Sequence, residues 1–158
     1  MAVQVVILAA GMGTRLGKPW PKPLTPLADG RSIMQQQLEN VEKVFRSEAR
    51  TTIVVGFKLE MIMEAHPDSS FVYNENYDQT NTSKSLLKAL RASHEPGVLW
   101  LNGDVVFDSR VLERVKERIH GEKSFVCVNT SATAEEEVKY TVDANGNINA
   151  LSKQVKNA

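Results

Sequence analysis

The stretch that decides the fold is VVILAAGMGTRLGKPWPKPL, from Val5 to Leu24. It begins with a run of β-branched and other apolar residues that shows little alternation, which is typical of a strand buried on both faces of a sheet. Two glycines end the run, and the loop after them carries its positive charges among three prolines. The stretch therefore predicts a buried strand that ends in a polar, cationic loop.

Further apolar segments follow this strand and alternate between strand-like and helical patterns. The predicted strands are VQVVILAA, TTIVVGF, SSFVYN, GVLWLNGD and SFVCVNT, and the predicted helices are SIMQQQLENVEKVF, KLEMIMEAH, TSKSLLKALRAS and DSRVLERVKERIH. This alternation predicts right-handed crossovers and an α/β fold, with a three-layer, Rossmann-like and mostly parallel sheet and helices on both faces. The last segment, VKYTVDANGNINALSK, alternates around Asn145-Gly146 and predicts a C-terminal β-hairpin with a two-residue loop.

Side-chain patterns within the helices predict their caps and their buried faces. Ser32 and Asp108 are suitable N-cap residues. The apolar residues that we expect to face the sheet are Met34, Leu38, Val41, Phe45, Leu86, Leu87, Leu90, Val111, Leu112, Val115 and Ile119.

Composition limits the possible classes of protein. The 158 residues suit a single domain over 1–158, and 42% apolar with 24% charged residues is ordinary for a soluble globular protein. The 19 basic and 19 acidic residues cancel, so no basic surface indicates nucleic acid as a partner. No apolar run reaches the length of a membrane span. We expect no signal peptide, because the N-terminus lacks a charged region before its short apolar run. Cys127 is the single cysteine and cannot form an internal disulfide, which favours a cytoplasmic location. It lies in an apolar run, which favours a buried thiol.

Two common phosphate-binding motifs do not fit the glycine loop. A dinucleotide fingerprint needs a third glycine where Leu16 stands, and the second strand ends without the acidic residue that would hold a ribose. A P-loop needs four residues between its glycine and its Gly-Lys pair, whereas five separate Gly11 from Gly17.

A third interpretation explains more of the loop. Gly11 and Gly13 let backbone N–H groups approach a phosphate or a base without obstruction by a Cβ atom. Arg15 adds a planar set of donors that suits phosphate oxygens. Lys22 lies between two prolines, whose fixed φ angles reduce the entropy that a loop loses when it binds an anion. The alternative is a solvated loop with ordinary surface charges.

At this point the sequence resembles a known family. The order LAAGMGTRL, four residues, then PKPL resembles the signature of the nucleotidyltransferases that make nucleoside-diphosphate sugars and alcohols. The similarity continues through NENYDQTNTSKSLLKAL and LWLNGDVVF and covers essentially the whole chain. The segment from Asn81 to Leu86 resembles the branch that includes bacterial choline-phosphate cytidylyltransferase.

The resemblance implies a role for individual residues. It implies that Arg15, Lys22 and Asp104 are catalytic, with the two cations near the leaving pyrophosphate and the α-phosphate. The implied nucleotide-binding residues are Leu8, Ala9, Ala10, Gly11, Gly13, Thr14, Arg15, Lys22, Asn81 and Ser83. Asp104 would hold Mg²⁺, the expected cofactor, unless it is only a turn aspartate. Asn81 and Ser83 would line the base pocket, although both are also good residues for a helix N-terminus.

The resemblance implies transfer of a nucleoside monophosphate, expected to be CMP from CTP, to a phosphorylated alcohol or sugar with release of pyrophosphate. The acceptor stays open among phosphocholine, an aminoalkyl phosphonate, a polyol phosphate and a sugar phosphate. Alternatives are a sugar-1-phosphate uridylyl- or thymidylyltransferase and a non-catalytic nucleotide-binding module. A sugar transferase with an Asp-x-Asp motif fits less well, because Val106 stands where the second aspartate would be.

Further expectations concern the rest of the chain. Family members usually continue beyond the hairpin, so the chain is expected to lack the segment that completes the acceptor pocket and supplies a second metal ligand. Tyr140 and Lys153 are candidates to line what is left of that pocket, and a homodimer is a possible way to close it. The three histidines have no ligand spacing, and Trp20 either covers the nucleotide or only the loop.

Overall fold

The computed structural model describes residues 2–12, 19–93, 97–128 and 137–155. These residues form two compact units, one within residues 1–124 and one within residues 125–158. The strands are β1 (Val3–Ala9), β2 (Ala49–Val55), β3 (Ser70–Tyr73), β4 (Leu99–Asn102), β5 (Lys139–Val142) and β6 (Ile148–Ser152). The helices are α1 (Ile33–Phe45), α2 (Leu59–Ala65), α3 (Thr82–Ala92) and α4 (Arg110–His120), and short 3₁₀ turns span Lys22–Leu24 and Arg46–Glu48. The prediction of one domain over 1–158 stays a prediction.

The first unit contains a four-stranded parallel sheet with the strand order β3-β2-β1-β4. β1 lies between two neighbours and pairs Leu8 with Val54 on one side and with Asn102 on the other. All four strands therefore end at the same edge of the sheet. The chain leaves this edge after Ala9, Val55, Tyr73 and Asn102.

Helices cover both faces of this sheet. Val5 and Ile7 of β1 are fully buried on the face that packs against α1, α2 and α4. Val6 of β1 and Val54 of β2 are fully buried on the opposite face, where they pack against Ala89 of α3. The predicted α/β fold, with a parallel sheet between helices and a C-terminal hairpin, is confirmed. So is the prediction from the uninterrupted apolar pattern of β1, since both of its faces are buried.

α1 begins as its sequence predicts. Ser32 is the N-cap, and its side chain accepts a hydrogen bond of 3.1 Å from the backbone N–H of Gln35. Arg31 is paired with two carboxylates, Asp29 at 2.6 Å and Glu39 at 2.5 Å. These hydrogen bonds to the guanidinium lower the pKa of both acids.

The predicted inward face of α3 is right for Leu86, which packs against the core, and wrong for Leu87 and Leu90. Leu87 and Leu90 are 38% and 41% exposed, whereas Ser85 and Ala89 are buried. The physical reason is a hydrogen bond of 3.0 Å from the buried amide of Asn74 to the Ser85 hydroxyl, which turns the small side chains of the helix toward the sheet.

α4 shows a smaller departure from its predicted pattern. Leu112 is buried and Ile119 packs against the core, but Val111 is 36% exposed. The N-cap residue of α4 is Ser109 rather than the predicted Asp108, and the Ser109 side chain makes no capping hydrogen bond. The Asp108 carboxylate instead accepts a hydrogen bond of 2.9 Å from the backbone N–H of Arg110.

The second unit contains the hairpin of β5 and β6. Gly146 has a φ of 79° and donates to the carbonyl of Asp143, while Asp143 donates to the carbonyl of Asn147. The loop therefore has three residues and ends in a left-handed glycine, not the two that we predicted. The strand predicted over SFVCVNT is also wrong over residues 124–128, because no described residue pairs with that segment. Cys127 is exposed, which corrects the prediction of a buried thiol.

Candidate nucleotide site

A groove of about 380 Å³ opens at the edge where the parallel strands end. Ligands of open α/β sheets bind at this edge. The residues that line the groove are Leu8, Ala9, Ala10, Gly11, Lys22, Pro23, Tyr77, Thr80, Asn81, Thr82, Ser85, Asn102 and Asp104. Seven of the residues predicted for the site are among them: Leu8, Ala9, Ala10, Gly11, Lys22, Asn81 and Asp104. Gly13, Thr14 and Arg15 lie outside the described residues.

The end of β1 forms one wall of the groove. The carbonyl of Ala10 accepts the backbone N–H of Phe57 at 3.2 Å, and the carbonyl of Leu8 accepts that of Gly103 at 2.9 Å. A Cβ atom at Gly11 would have no described atom within 4 Å. As far as the described residues go, this glycine therefore leaves open space beside the backbone, where a ligand can approach closely.

Lys22 enters the groove from a stiffened turn. It begins the 3₁₀ turn Lys22–Leu24, and Pro21 before it has a φ of −59°. Pro23 is buried, which anchors the turn against the sheet. The Lys22 ammonium lies 3.4 Å from Oδ2 of Asp104, a residue 82 positions away in the sequence. Both side chains stay accessible, with 32% and 46% of their surfaces exposed.

The turn after β4 presents Asp104 and requires a glycine before it. A Cβ atom at Gly103 would lie 2.8 Å from the carbonyl oxygen of Leu8 and 3.1 Å from Cγ of Pro23. Neither backbone nor proline ring can easily move, so a larger residue would displace the turn. The sequence shows a glycine beside Asp104, but no pattern along the chain predicts the close approach that explains it.

The loop between β3 and α3 forms the opposite wall, and Asn74 organises it. Asn74 is fully buried, and its amide donates to the hydroxyls of Thr80 at 2.9 Å and Ser85 at 3.0 Å. Asn81 then caps α3 by accepting the backbone N–H of Lys84. The Ser83 hydroxyl donates to Asn81 Oδ1 at 2.6 Å, and Ser83 itself is not among the residues that line the groove.

Tyr77 is a groove residue that the sequence analysis missed. Its side chain lies close to the loop after β2, since a Cβ atom at Gly56 would be 2.6 Å from Tyr77 Cβ. The rings of Tyr77 and Phe57 lie 6.3 Å apart in a tilted arrangement. The only usable signal was an aromatic residue in a polar loop, which is too common to predict a binding residue.

Titratable groups elsewhere in the described chain offer little for catalysis. Burial lowers the pKa of His66, and His120 lies 3.1 Å from Oε2 of Glu48 on the surface. Within the described residues no cluster of three or more His, Cys, Asp or Glu side chains could hold a metal ion. Asp104 is the one carboxylate among the described lining residues of the groove.

Tyr140 lies in β5 and Lys153 follows β6, both in the second unit. No described helix is long and apolar enough to cross a membrane.

Known proteins share this sequence pattern and this fold. The MobA-like NTP transferase domain matches residues 5–157. A CMP-5'-(3-aminopropyl)phosphonate synthase from Streptomyces rubellomurinus is 39% identical over 122 residues, which cover 72% of this chain and 19% of that protein. A solved nucleotidyl transferase from Methanothermobacter is similar with a TM-score of 0.61 and 26% identity, over 73% of this chain and 57% of the other. HddC from Yersinia pseudotuberculosis shares the fold, with a TM-score of 0.69 at 16% identity over 95% of this chain and 68% of the other.

The parallel sheet and its edge groove define an open α/β domain of the class that binds ligands where its strands end. The family match over nearly the whole chain then gives the particular family: this chain belongs to the MobA-like NTP transferases. The resemblance predicted from the glycine loop is thereby confirmed at the level of the nucleotidyltransferase family. The chain spans about a fifth to a third of the length of the curated relatives that it matches first.

Proposed function

We propose that the chain is the nucleotide-binding part of a nucleotidyltransferase that transfers CMP from CTP to a small phosphate or phosphonate and releases pyrophosphate. One observation carries the proposal: Lys22 and Asp104 meet at 3.4 Å in an open groove, at the edge of the sheet where ligands bind. A fixed cation beside an accessible carboxylate suits a triphosphate that arrives with a divalent cation. The similarity to a protein named for making a CMP-phosphonate supports CTP as the nucleotide.

In this proposal, Lys22 and Asp104 exchange their pairing for other partners when a nucleotide binds. A triphosphate offers Lys22 phosphate oxygens in place of the carboxylate, and Asp104 becomes free for another cation. Because both side chains are partly exposed, exchanging these partners costs little. We therefore assign Lys22 to the phosphates and Asp104 to the metal.

The donor set at Asp104 fits Mg²⁺. Mg²⁺ prefers oxygen ligands, keeps several waters and is commonly held by one or two carboxylates together with substrate phosphates. A single accessible carboxylate at the groove therefore suffices on the protein side. A bound Mg²⁺ would neutralise part of the phosphate charge as the two anionic substrates approach each other.

The reaction needs orientation and charge neutralisation more than acid–base catalysis. An oxygen of the acceptor forms a bond to the α-phosphorus, while the bond from that phosphorus to the bridging oxygen breaks and its electron pair leaves with pyrophosphate. Lys22 is placed to stabilise the charge on these phosphate oxygens. The backbone from Leu8 to Gly11, with Asn81 and Tyr77 across the groove, supplies polar edges and an aromatic surface for ribose and base.

Calorimetry with CTP, UTP, ATP and GTP, each with Mg²⁺, tests the choice of nucleotide. We expect CTP to bind most tightly; a clear purine preference would contradict cytidylyl transfer.

The acceptor is tested by pyrophosphate release with an aminoalkyl phosphonate, phosphocholine, a polyol phosphate and a sugar phosphate. Turnover with UTP and a sugar phosphate would indicate a uridylyltransferase, and tight binding without turnover would indicate a nucleotide-binding module. A cytoplasmic location and a homodimer stay predictions.

A further inference from the structure

Two amide side chains of α1 hold the segment that carries Asp104. Nε2 of Gln37 donates to the carbonyl oxygens of Asn102 at 2.9 Å and Val105 at 2.6 Å. Nδ2 of Asn40, almost one helical turn further, donates to the carbonyl of Phe107 at 2.7 Å. One helix thus makes three hydrogen bonds to the backbone of residues 102–107, which we call the Asp104 segment.

Gln37 is an unusual residue for its position. It is fully buried, and Met34 and Val41 on the same helix are buried apolar residues of the core. Its two amide hydrogens account for the two carbonyls, while its Oε1 has no hydrogen-bond partner among the described residues. A buried acceptor without a partner is unfavourable, so an apolar side chain would suit the core better. The function of Gln37 therefore lies in the two carbonyls that it holds.

Asp104 depends on its backbone for its position. Within the described residues, its carboxylate makes one polar contact, the exposed pair with Lys22 at 3.4 Å. The backbone is held on both sides of Asp104: Gln37 binds the carbonyls of Asn102 and Val105, and the N–H of Gly103 donates to Leu8. The direction of the carboxylate into the groove thus follows from these bonds.

We propose that Gln37, assisted by Asn40, is a positioning residue that fixes Asp104 for a divalent cation bound with the nucleotide. This inference rests on the proposed function of Asp104. Groups that orient a metal ligand change metal affinity by about 10–100-fold when they are removed. The loss is expected in the metal-dependent part of nucleotide binding, while contacts from the β1 wall and from Lys22 stay intact.

The first measurement needs no ligand. Gln37→Met keeps an unbranched side chain of similar length but removes both donors. We expect hydrogen exchange of the backbone amides in the Asp104 segment to become about tenfold faster, because two carbonyls lose their partners. Amides in β1 and β2 should exchange as before. Gln36→Met is the matched control, since Gln36 is the neighbouring residue and none of the described bonds to the Asp104 segment comes from it.

The second measurement compares CTP affinity in Mg²⁺ with CTP affinity in EDTA. For Gln37→Met we expect the Kd in Mg²⁺ to rise about tenfold and the Kd in EDTA to change little. Asn40→Leu, which removes one bond from a half-buried position, should give a smaller change in the same direction. It also keeps the test available if Gln37→Met does not fold. Val41→Ala controls for general loss of stability, because Val41 is buried on the same helix but lies in the apolar core.

The outcomes separate this inference from the proposed function. If Mg²⁺ does not strengthen CTP binding by the unchanged protein, the metal role of Asp104 is wrong, and the inference with it. If Mg²⁺ strengthens binding equally in the unchanged protein and in both amide variants, the proposed function stands and the inference is overturned. Unchanged exchange in the Asp104 segment of both variants would overturn it independently of any nucleotide. Equal effects in Val41→Ala would reduce Gln37 to a residue that only stabilises the fold.

Discussion

Replacing Lys22 by alanine tests the centre of the proposed site, because it removes the cation while leaving the turn that carries it. Lys22 begins a 3₁₀ turn whose buried anchor is Pro23, so the backbone does not depend on the lysine side chain. Its one described polar partner is Asp104, at 3.4 Å, and both side chains are substantially exposed. An exposed ion pair contributes about 0–1 kcal/mol to the free energy of unfolding. For a chain of this size, that corresponds to a fall in Tm of at most about 2–4 °C.

The expected effect on catalysis is much larger. Loss of one preorganised group that stabilises charge in the transition state costs about 10²–10³ in kcat. Pyrophosphate release with CTP, Mg²⁺ and the best acceptor of the panel measures this rate, and a thermal melt of the same sample measures folding. The control is Lys88→Ala, which also removes the lysine of a partly exposed ion pair, with Glu75 at 2.5 Å, outside the groove.

The two variants should therefore have similar melting temperatures and very different rates. A folded Lys22→Ala protein that turns over as fast as Lys88→Ala would refute the reasoning. Lys22 would then be a loop lysine whose contact with Asp104 has no role in the reaction.

Three further predictions concern Asp104, the glycine before it and the ion pairs of Arg31. Asp104→Asn keeps the shape of the side chain but removes its charge, so CTP affinity measured by calorimetry should no longer depend on Mg²⁺. The Tm should change by only a few degrees, about as much as for other exposed residues. Normal Mg²⁺-dependent binding would show that Asp104 is only a turn residue. Gly103→Ala places a Cβ atom 2.8 Å from the carbonyl oxygen of Leu8, so the free energy of unfolding measured in urea should fall by about 1–3 kcal/mol. The control is Gly97→Ala, which should change this free energy little because no described atom lies within 4 Å of the added Cβ atom. Arg31 lowers the pKa of its two carboxylate partners, so these ion pairs contribute to the free energy of unfolding above about pH 4.5, and the contribution is lost as pH falls through the lowered pKa values. In Arg31→Gln the free energy of unfolding should therefore fall less steeply with decreasing pH in this acid range. An equally steep fall in both proteins would contradict this pairing.

The sequence by itself determined the local elements and the class of fold. The uninterrupted apolar pattern of β1 predicted burial on both faces, and alternation with helices predicted the parallel sheet. Ser32 predicted the start of α1 because capping is a local interaction between a side chain and the next turn. The glycine loop and Lys22 between prolines predicted where a phosphate site would lie, since parallel strands end at one edge.

Only the tertiary structure decided which side chains meet and which faces are buried. Leu87 and Leu90 are exposed because Asn74 holds Ser85 inward, and no helical periodicity contains that hydrogen bond. The segment at 124–128 has the pattern of a strand, but a strand also needs a hydrogen-bonded neighbour, and a pattern cannot supply one.

The same reason applies to the site. Lys22 and Asp104 are 82 residues apart, and Gln37 reaches carbonyls 65 and 68 residues away. The backbone carbonyls that accept hydrogen bonds from Gln37 cannot be recognised in the sequence, because every residue has a backbone carbonyl. Patterns along the chain report local propensity and burial, whereas the contact of Lys22 with Asp104 and the position of the Asp104 turn depend on which strands and helices become neighbours when the chain folds.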